Sequence, residues 1–579
     1  MDLKLQYNTG LSYTVEKNKL VLIALLKKYG IRNIVVSPGA TNVTFVASLQ
    51  SDDYFTMYSC VDERSAAYMA LGIANETKQP VVLSCTGATS SRNYFPALTE
   101  AYYRGVPMLV VTSSLSSEFV GHDYPQVTDR EHAPFDMVKE TYVLQNVKDQ
   151  NDYWDCIIKV NLALNRLFSD DLGPIHINLE TEYNSNFSIK KLPDVRDIRV
   201  LTIKDSLPQI QHSNIAVFVG SHKKISCGLQ QKIETFCENN NAVVLCDHTS
   251  NYYGKYKLNA SLLYVQERIL AKQFDLIVYL GDITGDYYTA KALFSGEMWK
   301  VSEDGEIKDR FRNTKYVFKM SDESFFNHYC RVCSNQATTN YDILFSQLHQ
   351  VHKLVPELPF SNIWIAQQTT KILPKGSSVH FGILNSLRAW NFFDLPMGVT
   401  SYCNVGGFGI DGCMSSLIGA SFTNSSKLYF GVFGDLSFFY DMNVLKNQGI
   451  GSNVRIILVN NGRGTEFRNY SHFAAIMGKA VDPFVAAAGH FGCQSETTIK
   501  RFAVACGFDY MSACDKNEYL EKIKYFVADN HADKPIIFEV FTDSDCESEA
   551  LKIISSLVKE GKKKYLNKVK AMVKKVLKK

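Results

Sequence analysis

The sequence predicts an α/β chain of three doubly wound parallel-sheet domains, and three observations predict it. These are the length, a series of short runs that are apolar on both faces, and helix-sized stretches between those runs. At 579 residues the chain is well past the size at which one core stops growing, so about three ordinary domains are expected. Strands covered by helices on both sides read as continuous apolar runs rather than as alternation.

Four such runs open the chain: NIVVS (33–37), PVVLSC (80–85), PMLVVTS (107–113) and PIHINLE (174–180). A second set follows: NIAVFVGS (214–221), NAVVLCDH (241–248), FDLIVYLGD (274–282) and KYVFKM (315–320). A third contains SSVHFG (377–382), KLYFGVFGD (427–435), NVRIILVNN (453–461) and KPIIFEVFT (534–542). The expected domains are therefore 1–190, 195–350 and 355–550, with linkers near 185–200 and 350–360 and a tail at 551–579. No period of 20 to 50 residues recurs, which argues against a solenoid.

Composition narrows the class. With 46% hydrophobic and 21% charged residues the body reads as a soluble globular protein, and no stretch approaches the length of a membrane span. The amino terminus lacks a signal-peptide pattern and the 14 cysteines lack framework spacing, so a reducing cytoplasm is expected. A net charge of +3 is too small to argue for nucleic acid. It conceals a lysine-rich end, in which Tyr565, Val569, Met572, Val573 and Val576 share one helical face. That is a basic amphipathic helix, compatible with an anionic membrane surface, an acidic partner or plain solvation.

The segment GDLSFFYDMN (434–443) follows an apolar strand and opens a helix, and the strand VRIILV ends in Asn460-Asn461-Gly462-Arg463-Gly464. Open α/β sheets bind ligands at the carboxyl ends of their strands. A hard cation bridging two phosphates wants one carboxylate and a few neutral oxygens there, which Asp435, the Asn461 side chain and the Arg463 carbonyl would supply. Either piece alone is also an ordinary turn; at this spacing the two agree on one chemistry.

In these residues the chain resembles the thiamine diphosphate enzymes, whose signature is Gly-Asp, a gap, then Asn-Asn. The resemblance implies the thiamine diphosphate-binding fold, with a pyrimidine domain, a Rossmann-like middle domain and a diphosphate domain. It also implies thiamine diphosphate and Mg²⁺, or another divalent cation, as cofactors. Asp435, Asn461 and the Arg463 carbonyl become metal ligands, with Gly434, Leu436 and Ser437 beside the diphosphate. In this family the pyrimidine ring meets a carboxyl group from a neighbouring subunit, which makes a homodimer or homotetramer the expected assembly. The matching segment is Asp62-Glu63-Arg64-Ser65-Ala66-Ala67, so Glu63 is the expected acid. By itself Glu63 reads equally well as a helix-start carboxylate complementing the dipole.

The resemblance is strongest to the menaquinone-pathway branch, the 2-succinyl-5-enolpyruvyl-6-hydroxy-3-cyclohexene-1-carboxylate synthases. SPG (37–39), DERSAAYMALGIA (62–74), YFPALTEAYYRGVP (94–107), GPIHINLE (173–180), NSL (385–387) and GGFGIDG (406–412) carry it. It implies that Ile410, next to Gly409, wedges the cofactor into a bent shape. Asn385 and Ser386 would lie near the diphosphate, and Gln126 would face the reacting carbon.

That branch handles a dicarboxylate donor, 2-oxoglutarate, and a dianionic acceptor, isochorismate, and holds them with cations. Here Thr41 (between Ala40 and Asn42), Trp390, Val405, Ser114-Leu115 and Asp286 stand where those cations are expected. A buried carboxylate left unpaired costs about 3–5 kcal/mol. The sequence therefore predicts that the cofactor chemistry is kept and the substrates are changed. The donor would be a small 2-oxo acid such as pyruvate, and the acceptor a neutral or cationic carbonyl compound, by analogy in cell-surface glycan synthesis. Trp390 and Val405 would fill the space of a distal carboxylate, whereas Arg92, Arg388 and Arg463 could still serve an anionic acceptor. The alternatives are the branch's own synthase reaction, a simple 2-oxo acid decarboxylase and a non-catalytic cofactor-binding protein. No adjacent His pair of the kind used by plain decarboxylases occurs.

Other candidates read more plainly. Cys330 and Cys333 lack a second pair at zinc-ribbon spacing, and His122, His132, His472 and His490 are isolated in loops. GDITGD (281–286) lacks the dinucleotide fingerprint, so a ligand-free middle domain is expected, and Glu466 is an acid/base candidate by position.

Overall fold

The computed structural model describes residues 12–266, 274–330, 339–489, 494–528 and 533–558. Cys333, His490 and most of the lysine-rich tail lie outside them. The described chain contains three parallel sheets flanked by helices and divides into two compact units, one of residues 1–202 with 305–317 and one of 203–304 with 318–579.

In the first unit the strands run Thr56–Ser59, Asn33–Val36, Val81–Thr86, Met108–Ser114, Ile175–Glu180, Glu140–Leu144 across the sheet, all parallel. The four central strands are those expected from their apolar runs. The two edge strands were not, because they are short, mostly half-buried or exposed, and mix polar with apolar residues. Helix Lys17–Lys28 and helix Gln150–Leu167 cover one face with Leu22, Leu25, Val160 and Leu164, and the Ala-rich helix Glu63–Thr77 packs close on the other with Ala66, Ala67 and Ala70. Segment 305–317 belongs here because Asp309 takes both Arg196 guanidinium nitrogens, at 2.9 and 2.6 Å, and the Trp154 indole at 3.0 Å.

The second unit holds two sheets. The middle one runs Lys257–Asn259, Ala242–Cys246, Ile215–Val219, Leu276–Leu280, Glu297–Val301. The other runs Thr400–Cys403, Ser378–Phe381, Tyr429–Gly434, Val454–Asn460, Ile536–Phe541, Asp509–Ala513. Its chain order, second-first-third-fourth-sixth-fifth, is the same as in the first unit. The order reverses between the first and third strands, which is where open sheets leave a ligand crevice. The two sheets are joined by side chains: buried His248 contacts the Trp390 and Phe393 carbonyls at 2.9 and 3.0 Å, and its backbone N–H donates to Asn391 at 3.0 Å.

Helix Lys17–Lys28 is pinned by a buried ion pair between Lys19 and Glu16, side chains 0% and 3% exposed, with Lys19 also donating to the Glu180 carbonyl at the end of its strand. Replacing Lys19 with Met leaves Glu16 buried without its cation. Chemical denaturation of the Lys19→Met variant is expected to show a loss of about 3–5 kcal/mol from the unfolding transition of the first unit.

Candidate active site

The crevice at the strand-order reversal of the six-stranded sheet in the second unit is a cleft open to solvent. Three strand ends build it. After Ser378–Phe381 the chain turns through Leu384, at φ +69°, into the short helix Asn385–Trp390, bringing Asn385 and Ser386 to the cleft. After Tyr429–Gly434 comes Asp435, the first residue of helix Asp435–Asp441, and after Val454–Asn460 comes Asn461. Gly434 pairs with Val459 in register, so Asp435 and Asn461 leave neighbouring strands at nearly the same level.

The two loops are tied directly. Asp435 Oδ2 accepts the Gly462 N–H at 2.9 Å, and Gly462 has the left-handed φ of +79° that favours glycine. The two asparagines divide their work. Asn460 is fully buried and donates to Glu539 at 2.7 Å, a carboxyl that burial raises and that also accepts from Tyr510 at 2.7 Å. Asn461, 9% exposed, lines the cleft, and its Oδ1 has no hydrogen-bond partner among the described residues. A buried carbonyl oxygen without a donor is what a cation site leaves when its ligands are otherwise in place.

Gly434, Leu436, Ser437 and Ile410 also line the cleft. Ser437 Oγ donates to the Ile410 carbonyl at 2.7 Å, fixing that residue against the helix, and Asp441 takes the Ser415 N–H at 2.6 Å to anchor the far end of the 406–412 loop.

Two charged pairs set the electrostatics. Arg388 grips Glu466 through both nitrogens, at 2.6 and 2.9 Å, and the Asn385 amide bonds the same residue, donating to Oε2 at 3.0 Å and accepting its N–H at 2.9 Å. Burial pulls the Arg388 pKa down, but the Glu466 pair outweighs it and holds the guanidinium above its ordinary value. Arg463 also lines the cleft, and its guanidinium donates to Asp482 at 2.6 Å. The expectation that Arg388 and Arg463 stand available for an anionic acceptor is therefore corrected: each is neutralised by a carboxylate of its own chain. The same pair ties Glu466 to Arg388 rather than to acid/base work.

The two large residues expected to fill the substrate space do not line the cleft. Trp390 is fully buried, lies tilted against Phe381 with ring centroids 5.4 Å apart and donates its indole N–H to Asn362 at 3.2 Å, so it acts one layer behind the lining. Val405 packs against the middle sheet's 281–286 loop, where a Cβ on Gly285 would come within 3.0 Å of it. In that loop Asp286 is buried and takes the Ser261 hydroxyl and the Tyr288 N–H, while Thr284 bonds Asp247.

In the first unit, Glu63 is half-buried in the first turn of its helix, capped by Asp62 Oδ1 on the Ser65 N–H at 2.7 Å. Thr41 is buried and satisfied by the Thr86 hydroxyl and the Ser113 carbonyl, Asn42 is buried on the Ser37 carbonyl at 3.1 Å, and Ala40 is exposed. Ser114, also buried, donates to Asn178 at 3.2 Å. Gln126 is exposed with a left-handed φ of +62°, and Arg92 is exposed with a bond to the Asp129 carbonyl at 3.3 Å. His132 pairs with Asp129, His472 accepts the Ala474 N–H at its turn, and the Cys330 thiol bonds the Lys232 carbonyl.

Comparison with known proteins agrees with this geometry. Residues 19–133 match the model of the N-terminal thiamine pyrophosphate-binding domain of thiamine pyrophosphate enzymes. The chain is 30% identical to the 2-succinyl-5-enolpyruvyl-6-hydroxy-3-cyclohexene-1-carboxylate synthase of Bacteroides fragilis, over 93% of this chain and 98% of that one. The chain belongs to the thiamine diphosphate enzymes, in the branch of these synthases. Proteins of the same description from Phocaeicola vulgatus and Bacteroides thetaiotaomicron are 29% and 28% identical over the same shares. It is thus a thiamine diphosphate-dependent enzyme of carbon–carbon bond formation. No described helix is long and apolar enough to cross a membrane.

Sequence reasoning missed Glu547, which also lines the cleft. It accepts the Asn362 N–H at 3.0 Å and the Thr542 hydroxyl at 2.8 Å, and burial raises its carboxyl from the usual 4.5 to about 7. It comes from a polar stretch after the last strand, where nothing in the sequence marks a buried acid. Between those two values the folded chain holds a proton that the unfolded chain has released. The associated stability is fully present below pH 4.5 and lost as pH rises through about 7. At about 1.4 kcal/mol per pKa unit this is on the order of 3 kcal/mol. Glu547→Gln keeps the acceptor and removes the titration. Its stability relative to the parent is expected to climb across that window in denaturation curves taken at several pH values.

Proposed function

We propose that the enzyme decarboxylates a 2-oxo acid and transfers the resulting acyl carbanion equivalent to an acceptor, using thiamine diphosphate and a divalent cation, Mg²⁺ in the first instance. The observation that carries this reading is the orphaned Asn461 Oδ1 beside Asp435 at the ends of adjacent strands. The Asp435 carboxylate, the Asn461 oxygen and the Arg463 carbonyl would hold the cation, Gly434–Ser437, Asn385 and Ser386 would hold the diphosphate, and the cation would offset the diphosphate charge. The bound thiamine diphosphate supplies the electron sink for decarboxylation and bond formation.

The chain's own residues do the rest. Ile410, held by Ser437, would support the cofactor, and the apolar cleft wall at Ile383, Ile410 and Phe467 would exclude water. Glu63 of the partner subunit would hold a proton at the pyrimidine ring, which makes at least a dimer the working assembly, and Gln126 would face the reacting carbon.

Two substrate readings follow from different observations. Identity to the named synthases across almost the whole chain favours their reaction, with 2-oxoglutarate as donor and isochorismate as acceptor. The fate of the cation positions favours a smaller donor such as pyruvate. Thr41 and Ser114 are satisfied within their own sheet, Trp390 is core, Asp286 is an acid, and Arg388 and Arg463 are already paired. Nothing in the fold bears on cell-surface glycan synthesis.

Carbon dioxide release from 2-oxoglutarate and from pyruvate, with and without isochorismate, separates the two. Preference for 2-oxoglutarate with isochorismate establishes the synthase reaction, and preference for pyruvate establishes the changed donor. Asp435→Asn is expected to weaken cofactor binding at least about tenfold in calorimetry, as loss of a charged metal ligand does. Glu63→Gln is expected to bind the cofactor normally and lose about a hundredfold or more in turnover. Unchanged cofactor affinity in Asp435→Asn would overturn the assignment of the cleft.

A further inference from the structure

Glu547 stands in the helix 544–558, which follows strand Ile536–Phe541, and reaches the cleft wall that Asn385, Ser386 and Thr465 also line. It is 7% exposed, and its hydrogen-bond partners among the described residues are all neutral. Oε1 accepts the Asn362 N–H at 3.0 Å and the Thr542 hydroxyl at 2.8 Å, whereas Oε2 has only a share of the same N–H, also at 3.0 Å. The Asn362 side chain in turn donates to Ser386 Oγ at 3.4 Å. The acid therefore belongs to the side of the cleft where Asn385 and Ser386 would hold the diphosphate.

The charges around Glu547 are set against a further negative group. Asp435 and Glu466 line the same cleft, and Asp543, just before the helix, adds its repulsion to the effect of burial. The cations of the surrounding elements are already paired: Arg388 with Glu466, Arg463 and Arg468 with Asp482, and Lys479 with Asp545. Glu549 and Lys552 of the same helix are exposed. Facing a diphosphate, an ionised Glu547 would be a desolvated charge repelled by the ligand.

Thr465, on the same wall, is 5% exposed, and its hydroxyl has no hydrogen-bond partner among the described residues. The oxygens of a diphosphate are acceptors, so the wall that receives them must offer donors. With the arginines spent on their own carboxylates, the donors at hand are neutral: the Thr465 and Ser386 hydroxyls, and Glu547 when it carries its proton. A carboxylic acid kept neutral by a desolvating site donates in this way.

We propose that Glu547 meets the cofactor as a neutral carboxylic acid that donates a hydrogen bond to the diphosphate, so that cofactor binding takes up a proton wherever Glu547 begins ionised. The inference rests on the reading of the Asp435 cleft as the diphosphate site. The pH window follows from the carboxyl that burial raises to about 7. Below that value the acid is already neutral and binding is strongest; above it affinity falls, because a proton must be taken up first.

Calorimetric titration of the full chain with thiamine diphosphate at saturating Mg²⁺, at pH 6 and pH 8.5, tests it against Glu547→Gln, whose amide donates and accepts without titrating. The cofactor's own ionisation is common to both proteins and cancels in the ratio of their affinities. The two are expected to bind alike at pH 6, which also shows that the variant is folded. At pH 8.5 the parent is expected to be weaker than the variant by about tenfold or more. Titrations at pH 8.5 in two buffers of different ionisation enthalpy are expected to show the parent taking up roughly one proton more than the variant. The same pH profile and proton count in both proteins would overturn the proposal and leave the reading of the cleft in place, and a variant weaker than the parent at pH 8.5 would do the same. A parent that binds no cofactor at either pH would overturn both.

Discussion

The second unit depends on one short bond, from the Gly462 N–H to Asp435 Oδ2. It ties together two loops that leave adjacent parallel strands, and it does so at the place where the strand order reverses. Without it, Asp435 and Asn461 would be two loop residues with independent motions; with it, an acid and an amide oxygen are held side by side before any ligand arrives. Preorganisation of this kind lets a cation bind without first ordering its ligands.

The layer behind the lining is held as firmly as the lining itself. Glu539 orients Asn460, Ser437 orients Ile410, Glu466 is shared by Arg388 and Asn385, and Trp390 reaches Asn362, which in turn bonds Glu547. Each of these polar groups is buried or half-buried, so each lost partner would leave a desolvated group unsatisfied. The polar residues around the cleft form several small sets, each satisfied within itself. A substitution such as tryptophan at 390 acts through Asn362 on the cleft's shape rather than by occupying substrate space.

The sheets were legible in the sequence because their central strands are buried on both faces and so appear as unbroken apolar runs. The edge strands Thr56–Ser59, Glu140–Leu144, Thr400–Cys403 and Asp509–Ala513 were not, since a short, mostly half-buried or exposed strand of mixed polarity carries no such signal. At the site, Asp435 and Asn461 were legible because motif and strand ends coincide. Glu547 and Arg130 were not. The first is an acid in the polar first turn of the helix that follows the last strand, the second an arginine in a polar run, and only the fold shows that both are buried. The pairing of Arg388 with Glu466, 78 positions apart, was equally beyond local pattern.

Two sheets of this chain share one strand order and therefore the same reversal point, yet the outcomes differ. In the second unit the crevice is an open cleft edged by Gly434 and Gly382. In the first it is filled: Gly39 lies so close that a Cβ would stand 2.6 Å from the Thr86 Cβ, and Thr41 bonds both Thr86 and the Ser113 carbonyl. The closure is made by small and hydroxyl-bearing residues, and the Thr41 hydroxyl is spent within the sheet rather than offered to a ligand. The shared topology thus leaves an open cleft in one sheet and a closed crevice in the other. The difference lies in which residues follow the first and third strands.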